Sequence, residues 1–391
     1  MIIAIAATAF FFLFLIAERV LLRRARKRFA LIIHVNGTRG KSTVTRMIHA
    51  MLRNYRGMEV YGKTTGSAAR LLLPDGTEKP VLRFGPANIR EQRNMLLGLA
   101  WIASDRQTRK KKALVVECNA IQEELQHISM KWLKPDITII TNVREDHTLE
   151  LGKAEQAAEI FASAIPDNSV LVTPGKNFVN IWKEKAAQKK LKLIFTGSGE
   201  AGEGEFPENT GCVLGVAGHL EIDRRVALNA IAEHKPDAGA FAFYSWKAGS
   251  RSIIFADARA ANDIESTCRL FDSVNQNMYS DPNTERILLL VNREDRPERT
   301  RDFLRYIIRL HKKGQFNQYL CLGHSPLAFR AALKREGVNW GKLRNAGDLD
   351  SALDEITGQT VFIFAVGNYG GPGIPVTRWL RKKSYYRADK Q

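Results

Sequence analysis

One stretch constrains the fold of this chain more than any other: Val35-Asn36-Gly37-Thr38-Arg39-Gly40-Lys41-Ser42-Thr43. Before it, Phe29 to Val35 is an apolar run with β-branched residues and reads as a buried parallel strand. After it, Val44 to Leu52 carries apolar residues at helical spacing. Strand, glycine-bearing turn, Gly-Lys-Ser and helix together make a phosphate-binding loop. Small residues let backbone N–H groups close around phosphate oxygens, and the helix N-terminus adds a positive dipole end. On this reading Asn36, Gly37, Thr38, Arg39 and Gly40 form the cradle, Lys41 reaches the β/γ-phosphates, and Ser42 or Thr43 holds Mg²⁺. The motif departs from a full Walker A pattern, because Val35 stands where the first glycine belongs and the glycine sits at Gly37. The competing reading is a chance Gly-Lys-Ser beside a helix start.

The N-terminus is the second constraint. Ile2 to Ala17 is an unbroken apolar run, followed by Glu18 and Arg19, Val20-Leu21-Leu22, and a basic cluster from Arg23 to Arg28. A cleaved signal peptide places positive charge before its apolar run, and here the order is reversed. The positive-inside rule then puts the remainder of the chain in the cytoplasm, behind a single-pass N-terminal anchor. An amphipathic or buried helix is the alternative, but the run has no polar face.

Composition narrows the class. The 391 residues are 45% hydrophobic and 26% charged, as in a globular protein of two or three domains. The four cysteines are far apart with no Cys-x-x-Cys pair, which excludes a zinc ribbon and fits a reducing compartment. Formal net charge is +18. That balance suits an anionic membrane surface or an acidic substrate, and equally a well-solvated surface. No zinc-finger spacing or aromatic–basic motif supports nucleic acid as a partner.

Strands and helices alternate through the rest. Met58 to Tyr61 reads as a short strand entering a second Gly/Thr-rich turn, Gly62 to Ser67, where Thr64 or Thr65 adds a hydroxyl to a metal or phosphate shell, or where an ordinary loop stands. Ala113 to Cys118 is a buried strand whose end carries Glu117, placed to bind Mg²⁺ or to form a salt bridge. Asp136 to Thr141 is another, running into Asn142, Asp146 and His147; His147 is a metal ligand or a structural histidine. The segment His234 to Ala240 carries turn chemistry and begins a domain boundary. Beyond it, Arg286 to Val291 ends in the charged cluster Asn292-Arg293-Glu294-Asp295-Arg296.

Taken together, these pieces resemble the ligase subunit of bacterial poly-γ-glutamate capsule synthases, a distant relative of Mur ligases and folylpolyglutamate synthases. The resemblance rests on residues 36–43, Gly-Lys-Thr-Thr-Gly (62–66), Asn-Ile-Arg-Glu-Gln (88–92), Glu117-Cys118, Asn-Val-Arg-Glu-Asp-His (142–147), Ala-Asn-Asp (261–263), 292–296 with Arg299-Thr300, and Val-Gly-Asn (366–368). It implies an α/β protein: a transmembrane anchor with its basic flank (1–28), a Mur-ligase-like ATP-binding domain (29–235) and a smaller Rossmann-like domain (236–391). It implies ATP and Mg²⁺ as cofactors, and glutamate and growing polyglutamate as substrates. Other membrane subunits of a synthase or export complex are expected partners, and a homo-oligomer is compatible with the family.

The activity implied is amide ligation through an acyl phosphate, with a second domain closing over the site to exclude water. Lys41, Glu117 and His147 are the catalytic residues of the first domain, Arg293 and Arg296 those of the second. Asn36 to Thr43 and Asn142 contact nucleotide; Ser42, Thr64, Glu117 and His147 contact metal. Around Glu159 to Pro166 the modified lysine of Mur ligases has no counterpart, so a second metal is held differently. The rival readings are a Mur-type ligase acting on another amino acid or peptide, and a nucleotide-switched component of an export complex that forms no bond.

Overall fold

The computed structural model describes residues 2–383 apart from 56, 67–68, 82–87, 106–107, 145–150, 176, 198–205, 238, 262, 279–282 and 357. The chain divides into two units, Met1–Asp237 and Ala238–Gln391.

The first unit is built on an eight-stranded sheet of order β4-β3-β2-β5-β1-β6-β7-β8. Its strands are β1 (Leu31–Asn36), β2 (Met58–Thr64), β3 (Arg70–Leu72), β4 (Glu78–Pro80), β5 (Lys111–Glu117), β6 (Ile137–Ile140), β7 (Val170–Thr173) and β8 (Lys192–Phe195). The helices are α1 (Ile2–Arg26), α2 (Lys41–Asn54), α3 (Ile89–Asp105), α4 (Glu123–Leu133), α5 (Ala154–Ala164), α6 (Val179–Lys189), α7 (Pro207–His219) and α8 (Arg224–Glu233). Strand β1 lies between β5 and β6, parallel to both. It is buried along its whole length, which is why it reads as a continuous apolar run rather than an alternating one.

Alternate residues of β1 serve opposite faces. Ile33 and Val35 pack with Val44, Met47 and Ile48 of α2 and with Val213 of α7. Ile32 packs on the other side with Leu22 of α1, Leu96 and Leu99 of α3, and Leu133 of α4. The last turns of α1 are therefore part of this unit's core. Leu22 and Ala25 are buried, whereas Ile2 to Ala17 is exposed throughout and apolar apart from Thr8, whose hydroxyl donates to the Ala4 carbonyl. This helix is long and apolar enough to cross a membrane.

The expected turn at Gly62 to Ser67 begins later than its sequence suggests. Gly62, Lys63 and Thr64 belong to β2 and pair with Leu72, Leu71 and Arg70 of β3. A glycine suits that place because a Cβ on Gly62 would press on Leu72, the Val115 carbonyl and His49 at 3.2–3.3 Å.

The second unit has a six-stranded sheet of order β13-β12-β11-β14-β10-β9. These are β9 (Ala242–Ala248), β10 (Arg251–Asp257), β11 (Thr284–Asn292), β12 (Gln318–Gly323), β13 (Trp340–Leu343) and β14 (Thr360–Gly367). All pair in parallel except β9, which runs antiparallel to β10. The described helices are α9 (Ile264–Met278), α10 (Pro297–Lys312), α11 (Leu327–Arg335), α12 (Asp348–Asp354) and α13 (Gly373–Lys383). One core, including Ile253, Phe255, Leu289, Ile363 and Leu380, lies beneath this sheet.

Candidate nucleotide and metal site

The expected phosphate loop occupies the carboxyl end of β1, at the centre of the first sheet, where α/β folds place ligands. Gly37 and Gly40 both adopt positive φ, +118° and +79°. Both are also hemmed in. A side chain on Gly37 would strike Thr141 and the Asn142 carbonyl, and one on Gly40 would strike the buried Asn209 of α7. Glycine is required at each place for conformation and for space.

The loop is tied down from the end of β6. Asn142 Oδ1 accepts from the Arg39 amide at 3.0 Å, and its Nδ2 donates to the Arg39 carbonyl at 3.1 Å. The Thr38 amide donates to the Asn142 carbonyl at 3.0 Å. Thr141 Oγ1 donates to the Arg39 carbonyl at 2.5 Å. From within the sheet, Asn36 Oδ1 accepts from the Gly37 amide, and Asn36 Nδ2 donates to Gln126 of α4 at 2.9 Å. Asn36 and Asn142 thus hold the loop.

Lys41 opens α2 and folds back over the loop. Its ammonium donates to the Gly37 carbonyl at 2.7 Å and the Thr38 carbonyl at 3.1 Å. Those bonds place the positive charge within the loop's curve, beside the N-terminus of α2. Thr43, half-buried in the first turn, completes the expected run.

Ser42 points the other way. Its Oγ donates to Glu117 Oε2 at 2.8 Å, and the Thr65 amide donates to the same oxygen at 2.6 Å. Among the described residues both donors on Glu117 fall on Oε2. Thr64 Oγ1 is buried without a hydrogen-bond partner among the described residues. The Ser42 hydroxyl and the Glu117 carboxylate are hard oxygens, as is the Thr64 hydroxyl one residue before Thr65, and such donors suit Mg²⁺ and the waters and phosphate oxygens it retains. Among the described residues no three His, Cys, Asp or Glu side chains come together as a metal group. His147 lies outside the described residues.

In the second unit, Arg293 and Arg296 stand at the carboxyl end of β11, as the sequence suggests. Arg293 spends its fork on Asp295, with bonds of 2.8 and 2.6 Å, and that partner raises the guanidinium pKa and lowers that of the carboxylate. Arg296 is the looser of the two, 4.0 Å from Asp295 and 44% exposed at its side chain. Arg299 donates to Asn368 Oδ1 at 3.0 Å.

Sequence reasoning missed several polar residues here. Arg259 is fully buried and forms a fork with Asp257 at 2.7 and 2.6 Å. It also donates to the Gly373 carbonyl and to Thr377, and stacks on Tyr369. In the first unit, buried Lys63 pairs with Glu91 of α3 at 2.6 Å. The signal available was the position of Asp257 and Lys63 at strand ends; the partners come from elsewhere in the fold.

Residues 35–210 match the Mur ligase middle domain, and residues 243–383 match the poly-gamma-glutamate synthase CapB C-terminal domain. A capsule biosynthesis protein CapB of Bacillus anthracis is 33% identical over 289 residues, covering 71% of this chain and 60% of that protein. A PGA synthase CapB of Bacillus subtilis is 33% identical over 286 residues, covering 69% of this chain and 70% of that protein. Among solved structures, E. coli FolC in complex with DHPP and ADP shares the fold with a TM-score of 0.66, at 13% identity, over 94% of this chain and 93% of that one.

Proposed function

The chain belongs to the CapB family of poly-γ-glutamate synthases, and from that premise we propose that it is an ATP-dependent amide ligase forming γ-glutamyl bonds. The observation that carries the reading is the arrangement around the loop: Lys41 curled over two loop carbonyls, and Ser42 joined to Glu117.

ATP with Mg²⁺, when bound, supplies the phosphoryl group that converts a glutamate carboxylate to an acyl phosphate with release of ADP; a glutamate amine then attacks the acyl carbon and phosphate leaves. The chain's own residues do the positioning. Lys41 and the backbone amides at the start of α2 neutralise charge on the phosphates. Ser42, Thr64, Glu117 and His147 hold the cation that the donor set suits. Arg296, less committed than Arg293, recognises a substrate carboxylate, with Arg293 and Arg299 supporting it. Residues 2–17 of α1 anchor the chain in the bacterial cell membrane with both units on the cytoplasmic side, and other subunits of the polymer machinery meet it there.

The test is polymer formation by membranes carrying wild type or Lys41→Ala. Loss of both glutamate-dependent ADP release and polymer supports the ligase. Loss of ADP release with polymer unchanged refutes it. ATP turnover indifferent to amino acids favours a nucleotide switch instead.

A further inference from the structure

The direction of α1 relative to the sheet has a consequence for where the site opens. Arg26, its last residue, donates to the carbonyls of Leu133 and Lys134 at 3.0 and 2.9 Å, at the end of α4. Asp136 follows there and receives the Ile32 amide at 2.7 Å, beside the start of β1. Arg26 therefore lies at the amino-terminal edge of the sheet. Glu18 pairs instead with Arg93, one turn into α3.

Helix α3 runs from the carboxyl edge of the sheet to the amino edge. Near its start, Asn88 accepts from Asn119, just past the end of β5. Near its end, the Ala103 carbonyl receives the Lys112 ammonium, at the beginning of β5. Helix α1 descends alongside it in the same direction. Glu18 to Arg26 spans about 12 Å of helix. The exposed apolar residues 2–17 precede Glu18, so they project past the carboxyl edge, the edge that carries the phosphate loop. Arg19 and Arg90, both exposed, sit near the level where the apolar run ends, as residues facing lipid headgroups do.

We propose that the sheet edge bearing residues 37–42 and Glu117 faces the lipid bilayer, so that the site opens toward the membrane plane rather than the cytosol. This rests on the anchor reading given above. A polyanionic product leaving such a site emerges at the membrane surface, where an exporting partner would take it. The opposite edge then faces away. There a groove of about 690 Å³, lined by Arg26, His127, Lys134, Asp136, Ser163 and Lys189, is out of reach of headgroups despite its basic residues.

Energy transfer measures this directly. The full chain, with Cys268→Ser to remove the least buried thiol, is reconstituted in vesicles carrying headgroup-linked acceptor. A donor dye is placed at Ile121→Cys, past the end of β5, or at Asp167→Cys, ahead of β7; both residues are exposed. The seven residues of β5 separate the two edges by about 23 Å. Stronger transfer from position 121 than from 167 is the expected result. Equal transfer, or stronger transfer from 167, overturns the orientation while leaving the anchor intact. Failure of the protein to float with vesicles, with no transfer from either label, overturns the anchor reading and this inference with it.

Discussion

Ser42 Oγ and Glu117 Oε2 lie 2.8 Å apart, joining the first turn of the loop helix to the end of the neighbouring strand. The two residues are 75 positions apart in sequence, and the parallel pairing of β1 with β5 brings them together. This is the pair proposed above to hold one cation. Glu117→Gln keeps the size of the side chain and removes its charge. It raises the Mg²⁺ concentration for half-maximal ADP release by about 10-fold or more. An unchanged metal titration would take Glu117 out of the metal site.

Asn142 makes a two-point clamp on Arg39, donating to its carbonyl and accepting from its amide. Replacing it with Ala removes both bonds and leaves the Arg39 carbonyl held by Thr141 Oγ1. Each lost bond costs about 1 kcal/mol. The loop then spends part of its time in other shapes, and nucleotide binds about 10-fold more weakly. Equilibrium binding of a fluorescent ATP analogue reads the change. Affinity equal to wild type would show that the loop keeps its shape without the clamp.

What was legible in the sequence was mainly local. The phosphate loop needs only a strand, two glycines and a helix start in succession, and Phe29 to Leu52 carries all three. Strand ends at Glu117 and Asn142 could be read from apolar runs that stop at a polar residue. Gly62 misled because glycine followed by threonines reads as a turn, while pairing on both sides keeps it in β2. Strand β9 escaped notice because its position is set by antiparallel pairing with β10, a tertiary choice. The Arg293–Asp295 contact was equally hidden. Both residues are in one charged cluster, and only the folded turn shows that they spend their charge on each other.

Lys63 and Glu91 test how β2 is held against α3. The Lys63 side chain is fully buried and meets Glu91 at 2.6 Å. Thr65, two residues on, donates its amide to Glu117, so a shift at the end of β2 reaches that carboxylate. Lys63→Met leaves the Glu91 carboxylate without its main cation and costs about 3–5 kcal/mol. Lys63→Met with Glu91→Leu removes both charges and recovers most of that loss. Denaturant midpoints of the three proteins decide it. A double variant as unstable as the single would mean that the pair is not the source of the effect.

His34 and His49 set a pH dependence. Burial, and then nearby Lys63, holds His34 down to about 3. Burial is also the main cause for His49, held to about 4. Both are neutral in the folded protein at pH 6, whereas in the unfolded chain they take up protons below about 6.5. A depressed histidine therefore contributes stability above pH 6.5 that is lost as pH falls toward its folded value. Each removes about 1.4 kcal/mol per pH unit once the unfolded chain is fully protonated. Urea midpoints of the detergent-solubilised chain should fall steadily from pH 6.5 to 5. Burial lowers His219 and His234 as well and adds to the same slope. His34→Gln, which cannot titrate, should make that slope shallower, and equal slopes in variant and wild type would rule out His34 as a contributor.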